Sequence, residues 1–454
     1  MSMPEQNNGI NEEKHVKMPS FEFIFALGIV FMMSGGVQGI YTNLAQDLLT
    51  DKRPLALASS VIAKKSQGNF TYMAILVPMY TYVIWFFVSK WRWFVPVLKR
   101  AFPLVLVSLL AILSTFWSLE PKATFLRSCN LFLGTMTGCY FAVRYLPLQF
   151  QTLMGKCYLI LGIFVFLVVI LDPEVGIHHG KHYPSFRGYF SHKNIMGDTM
   201  VYGLIVSLFL LRTTHAKILG LWLFTVSGLL IIMSLSRTAW LLALFSLIVY
   251  LLIMSIRAWK FKGLLLVFIV IFTSVFILSL VGYETIASEA IIALERDPTV
   301  SGRTEIWEII LDAILPDHFW FGFGYEAFWS STQGAFNYFR NQLGFIPAHS
   351  HNGWLQIMVH LGFSGVILVA IAMIIGIKRS YIFAFSHTYH GYAVALVFLV
   401  MYFVLNIVES YFMAPERLYW EIFVYYVACN PKNADYLQNT AKISRNNVYT
   451  KVPS

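Results

Sequence analysis

Charge is scarce in this chain. Only 12% of its 454 residues are charged, about half the share usual in soluble domains. By contrast 57% are hydrophobic and 17% aromatic, with a mean hydropathy of +0.65. Such a composition excludes a soluble domain and marks a polytopic membrane protein. The net charge of +10 then calls for no nucleic-acid partner, because membrane proteins carry an excess of Lys and Arg on their cytoplasmic side. Cysteine is scarce too. Cys129, Cys139, Cys157 and Cys429 all fall in or at the end of apolar segments. None lies in a long loop or at metal-ligand spacing, which argues against disulfides and a zinc site. There is no Gly-rich phosphate loop, no nucleophilic-serine elbow and no acidic metal cluster of the DxD kind. Internal repeats, low-complexity segments and a cleavable signal pattern are also lacking. Met1 to Lys17 is polar and the apolar run behind it is too long for a signal h-region, so the first span reads as a retained anchor.

What the chain does have is long apolar runs. A span needs about 20 apolar residues to cross about 30 Å of hydrocarbon. By that measure spans are expected at about 20–41, 70–88, 102–117, 124–143, 154–171, 194–211, 217–234, 238–255, 263–283, 362–377, 390–408 and 417–429. Backbone in lipid must satisfy its own hydrogen bonds, so these are helices. The fold class is therefore an all-α polytopic membrane protein of about 12 helices. Its segments are a tail over 1–19, nine helices over 20–283, a polar helical loop over 284–351, a short helix plus three more spans over 352–430, and a tail over 431–454. With both tails in the cytoplasm, Lys90, Arg92, Lys99, Arg100, Arg212, Lys217, Arg257, Lys260, Lys262, Lys378 and Arg379 fall inside, as positive-inside requires. Most acids fall outside.

The outer face then carries three polar segments: Asp172 to Asn194, the tight tip Ser234 to Thr238, and the loop Glu284 to Ser350. In that loop Ser301 can cap a helix with Ile306, Trp307, Ile310, Leu311 and Ile314 on one face, and Glu305, Glu308 and Asp312 on the other. Pro316 ends it. Arg187, His192, Lys193, Arg237 and Arg303 are cations on the wrong side for positive-inside. Guanidinium forks and a helix N-terminus both suit phosphate oxygens, and several cations around one cavity would hold a diphosphate. The plainer alternative pairs each arginine with an acid such as Glu305, Asp198 or Glu409, or lets it snorkel to head groups.

The loop ends on AHSHNGWLQIMVHLGFSG, residues 348–365. Trp354, Leu355, Met358 and Leu361 carry a helical apolar pattern. That places His351 at a helix N-terminus, whose dipole favours a neutral imidazole able to accept a proton. A neutral base beside an arginine-held diphosphate suits group transfer to a hydroxyl. Glu305, Glu326 and Glu409 are alternative bases.

The run His351-Asn352, nine residues, Gly362, two residues, Gly365 resembles the pattern of O-antigen ligases and of the lipid-linked polysaccharide polymerases of the same superfamily. So do FWSLEPKATFLRS at 116–128, FRGYFSHKN at 186–194, SLSRTAW at 234–240 and SGRTEIW at 301–307, in order across roughly residues 105–425. SHKN and the late NIVES segment, Asn406 to Ser410, look more like exopolysaccharide polymerases. The resemblance implies a metal-independent, GT-C-like glycosyltransferase with no cofactor in the bacterial inner membrane, working at the periplasmic face. The donor it implies is an oligosaccharide on undecaprenyl diphosphate. The acceptor is a glycan or the lipid A core, and membrane lipids and other polysaccharide-assembly proteins are the remaining partners. By the same resemblance His351 is the base, Arg187 and Arg303 hold the diphosphate, and Arg237, His192, Lys193, Asn194 and Asn352 contact the donor. Lys193 stands where family members often have proline, and His349 is an extra histidine able to share the base role. A ligase is the alternative within this class. A lipid-linked sugar transporter is the alternative outside it, disfavoured because the ionisable residues gather near outer helix ends rather than the midplane.

Overall fold

The computed structural model describes residues 20–34, 70–179, 184–258, 303–315, 317–331, 334–335, 338–339, 347, 349–385 and 391–430. The expected span at 263–283, the Ser301 cap, Pro316 and both tails lie outside the described residues.

The chain is mainly helical. Its helices are α1 (Ser20–Met33), α2 (Phe70–Ser89), α3 (Trp91–Arg100), α4 (Phe102–Leu113), α5 (Pro121–Arg144) and α6 (Pro147–Leu171). They continue with α7 (Lys193–Leu210), α8 (Lys217–Met233), α9 (Arg237–Ala258), α10 (Arg303–Ile314), α11 (Gly353–Ala384), α12 (Tyr392–Val408) and α13 (Tyr419–Ala428). The segment 172–194, expected on the outer face, departs from the all-α expectation. A one-turn helix, Pro173–Gly176, leads into an antiparallel hairpin of β1 (Ile177–His179) and β2 (Pro184–Phe186).

Among the described residues four helices are long and apolar enough to cross a membrane: Pro147–Leu171, Thr214–Met233, Arg237–Ile256 and Gly353–Ala384. A fifth is possible if Trp91–Arg100 and Phe102–Phe116, which meet at 92°, form one broken span. Against an expectation of about twelve spans, the described residues hold four or five such helices, with further helices that are shorter or more polar. Phe21–Met33, Leu76–Ser89 and Tyr392–Val408 are short apolar helices. In α5 the buried Thr124, Ser128, Gly134, Thr135, Thr137 and Gly138 dilute the apolar run.

Those small residues have a packing reason. Lipid supplies no hydrophobic drive between helices, so close approach and buried hydrogen bonds hold them together. Gly134 and Gly138 face Glu421 and Val424 of α13 at distances no Cβ could occupy, and Trp420 Nε1 donates to Thr135 Oγ1 at 2.9 Å. Every residue of α13 is buried, as is nearly every residue of α12. Of these two helices, α12 packs on α9 and α11, and α13 on α5 and α11.

The helices alternate in direction. One end of the bundle gathers the start of α5, the end of α6, the starts of α7, α9 and α11, the end of α12 and the start of α13. Contacts across it include Arg127 to the Glu326 carbonyl, Lys193 to the Leu235 carbonyl and Arg303 to the Val408 carbonyl. A second small core caps this end. Ile306, Ile309, Ile310, Ala313 and Ile314 of α10 pack with Phe323, Phe328, Phe339 and Val359. The expected face of α10 is corrected at one position: Leu311 is 37% exposed and Ile309 takes its place.

Candidate functional site

The site is built on the break in α11. Asn352 caps that helix, its Oδ1 accepting from the backbone N–H of Trp354 and Leu355 at 3.0 and 3.1 Å. His351 therefore stands just before the first turn, in a left-handed conformation with φ of 51°. Ten residues after Asn352 the helix breaks at Gly362, with φ 65° and ψ −163°. A Cβ there would run into the backbone of Trp320 and Phe321, and one at Gly322 into Val359 to Leu361. Two glycines thus let a loop backbone cross a helix backbone. The crossing is sealed by Phe323 N–H to the Val359 carbonyl at 2.9 Å and Phe363 N–H to the Phe319 carbonyl at 2.7 Å. The spacing between His351 and Gly362 is the length of the short helix between cap and crossing.

The loop ahead of the cap is held at several points. Trp307 Nε1 of α10 donates to the Ser350 carbonyl at 2.9 Å, Ser350 N–H donates to Gln356 Oε1 at 3.1 Å, and Ser350 Oγ lies 3.2 Å from Ser410 Oγ. His349 and His351 face each other with ring centroids 4.1 Å apart, and His351 N–H donates to His349 Nδ1 at 3.2 Å.

Glu409, the residue that ends α12, ties the site together. Its Oε2 lies 3.4 Å from His351 Nδ1 and its Oε1 lies 3.5 Å from Arg303 Nη2. Arg303 also donates to the Val408 carbonyl at 3.0 Å. Burial would raise the Glu409 carboxyl, but the rings of His351 and His349 and the Arg303 guanidinium outweigh it and bring it down to about 2. The group is a carboxylate throughout the physiological range. Glu409 is the alternative partner weighed for the arginines, and for Arg303 that pairing is real. Asn406, which opens NIVES, accepts from the N–H groups of Tyr411 and Phe412 at 2.9 and 2.8 Å and so shapes the loop behind Glu409.

A second group of expected residues gathers beside the hairpin. His192 caps α7, its Nδ1 accepting from Asn194 N–H at 3.2 Å, and packs edge-on to His178 with centroids 4.9 Å apart. Burial first, then the His178 ring, holds the His192 imidazole down to about 4. At neutral pH it is an uncharged hydrogen-bonding group rather than one of the cations that the outer segments suggest. Burial together with Arg187 and Lys193 lowers His178 as well. Lys193 reaches the Leu235 carbonyl at 3.5 Å, joining the start of α7 to the Ser234–Arg237 tip. Arg237 opens α9 and is exposed. Arg187 donates through Nε to the Val175 carbonyl at 2.9 Å and through Nη2 to the Glu174 carbonyl at 3.2 Å, clamping the hairpin. Beneath that clamp an apolar cavity of about 330 Å³ is lined by Phe164, Leu167, Val168, Leu171 and Tyr189.

The two groups are joined electrically. His192 feels Glu409 and Arg417, and Asp198 of α7 feels Glu409. Tyr411 O–H donates to Asp198 Oδ2 at 3.0 Å. The structure thus brings His351, His349, Asn352 and Arg303 into one cluster, with His192 electrostatically coupled to it. Arg187 stands behind His178, and Arg237 stands at the tip that Lys193 contacts. Glu409 as common anchor, and Arg417, are the members that sequence reasoning missed or left among alternatives.

His349, His351 and Glu409 also form a set able to hold a metal ion, with one ligand atom from each lying within 4.8 Å of the others. The chemistry of two imidazoles and a carboxylate is that of a zinc site. Arg303 on the same carboxylate competes with any cation placed there.

Residues 221–370 match the family described as O-antigen ligase. The match takes in Arg237, Arg303, His349 and His351, and leaves out Arg187, His192 and Glu409. No curated protein matches the chain.

Proposed function

We propose that this chain, whose residues 221–370 match the O-antigen ligase family, is a membrane glycosyltransferase that moves glycan from a lipid diphosphate to an acceptor hydroxyl. The observation that carries this reading is the convergence of His351 and Arg303 on the buried carboxylate of Glu409 at one end of the helices. With Nδ1 turned to Glu409, the Nε2 of His351 is left to face a hydroxyl. Nε2 takes the proton of the acceptor O–H as its oxygen attacks the anomeric carbon. The bond from that carbon to the diphosphate oxygen breaks with inversion, and the electron pair leaves on the lipid diphosphate. Glu409 stabilises the imidazolium that forms. Arginines around the site stabilise charge on the departing diphosphate in a position fixed before the reaction.

The donor in this reading is an oligosaccharide on undecaprenyl diphosphate. Its reacting end meets His351 at the periplasmic face of the inner membrane, and both chain tails are cytoplasmic. In this reading the apolar cavity under the Arg187 clamp takes the lipid side of the donor. SHKN and NIVES favour polymerisation of exopolysaccharide or O-antigen repeat units over ligation to lipid A core.

The test is His351→Ala in cells that make the polymer. The expected result is loss of product, a fall of at least about 100-fold, with accumulation of lipid-linked donor. Normal polymer from that variant would sink the reading. The product of the intact enzyme separates the two transferases: a polymerase yields a ladder without lipid A core, whereas a ligase yields glycan on that core.

A further inference from the structure

A fourth arginine stands in the loop between α12 and α13. Arg417 lies in the short 3-10 turn Pro415–Arg417, and its guanidinium sits over the Tyr411 ring at 5.0 Å. Its surroundings are acidic at a distance. Glu409, Asp198 and Glu416 all act on it, yet none lies within ion-pair reach. Each has other work. Glu409 faces His351 and Arg303, Asp198 accepts from Tyr411, and Glu416 has an interaction elsewhere.

The arginines differ in how their donors are used. Arg303 spends two groups on Val408 and Glu409, and Arg187 spends two on Glu174 and Val175. Among the described residues the Arg417 guanidinium makes no hydrogen bond and no ion pair; stacking on Tyr411 is its side-chain contact. A guanidinium has five N–H donors, and a partly buried one is costly to leave without acceptors. A cation held over an aromatic ring is stabilised there without using its N–H donors, which leaves them for an anion. Tyr411 beneath it donates to Asp198 of α7, so the guanidinium stands where the start of α7 and the loop after Glu409 meet.

We propose that Arg417, held over the Tyr411 ring, is the anion-gripping residue of this site and takes phosphate oxygens of the donor's lipid diphosphate. The choice of diphosphate rests on the transferase reading; the claim that Arg417 binds a phosphate does not. Arg303 and Arg187 then act chiefly as positioning residues, one orienting Glu409 and the other closing the hairpin.

The probe is farnesyl diphosphate, a short polyprenyl diphosphate, added to the purified full-length chain in detergent, with inorganic diphosphate and phosphatidylglycerol as comparisons. Arg417→Gln should weaken farnesyl diphosphate binding by at least about tenfold, the worth of a charge-assisted hydrogen bond. Arg212→Gln, a change of an exposed arginine just past the other end of α7, should bind it as the wild type does. Wild-type affinity in a folded Arg417→Gln variant overturns the proposal. A readout that needs no variant is phenylglyoxal modification of Arg417, followed by mass spectrometry. Farnesyl and inorganic diphosphate should both protect the residue. Absence of protection, or protection by phosphatidylglycerol alone, overturns it in favour of a head-group contact. The two readings fail separately: normal transfer by His351→Ala removes the transferase and leaves the phosphate site, whereas unaltered binding by Arg417→Gln removes the phosphate site and leaves the transferase.

Discussion

Two trios of the same chemistry stand at opposite ends of one short helix. At the start of α11 are Arg303, Glu409 and His351; at its break are Arg127, Glu326 and His360. In both, histidine and glutamate approach to 3.4–3.5 Å. What differs is which partner is buried. In the first trio the carboxylate side chain is 11% exposed and the imidazole 33%. In the second the imidazole is 1% exposed and the carboxylate 36%. A buried acid that presents an accessible imidazole can offer a base to a substrate. A buried imidazole under an exposed acid can only brace the fold. Arg127 fits that second role, since it donates to the Glu326 carbonyl and to Ser330 Oγ rather than to the carboxylate. Gln356 links the two trios, accepting from Ser350 N–H and donating to His360 Nε2 at 3.0 Å.

The contrast breaks if both acids matter equally to the reaction. Glu409→Gln keeps the shape of the side chain and removes the charge that orients His351 and Arg303. Charged hydrogen-bonding partners are worth about 1.5–3 kcal/mol, so transfer should fall roughly 10- to 100-fold. Glu326→Gln should change the transfer rate by less than about threefold, as expected of a surface substitution. Rates measured side by side on one lipid-linked donor decide the matter; equal losses would make the second trio part of the chemistry.

A smaller effect tests how the two trios are held in register. At Gly362 the backbone occupies a region open to glycine alone, and a methyl group would strike Trp320 and Phe321. Gly362→Ala should cost at least about 1–3 kcal/mol and lower the thermal midpoint of the purified protein. An unchanged midpoint would mean that the crossing does not set the helix length.

Much of this arrangement is legible in the residues alone. Apolar period and length place the helices, and the distance from His351 to Gly362 marks a unit that proves to be cap, short helix and crossing. Other features are hidden for physical reasons. Among the described residues the apolar runs outnumber the long apolar helices, in part because α5 and α7 carry buried small and polar residues that serve packing. Glu409 is 58 positions from His351, so no local pattern announces their contact. His192 looks like a cation until burial beside His178 is known. Arg417 looks like the ordinary basic edge of a span; its open donors stand out only against the filled ones of Arg303 and Arg187, which folding brings to the same end of the bundle.

The smallest expected effect concerns acid. Burial beside His178 holds the imidazole of His192, which caps α7, down to about 4. A group whose folded pKa is depressed contributes stability that is present above its unfolded value, about 6.5, and is lost as pH falls through the folded value. The thermal midpoint of the wild type should therefore fall between about pH 6.5 and pH 4. Glu409, held near 2, should add nothing to that slope until the solution is more acidic than about 4.5, the ordinary carboxyl value. His192→Asn keeps a capping side chain at the start of α7 and removes the imidazole, so it should flatten the slope. A variant that kept the full slope would place the acid sensitivity elsewhere.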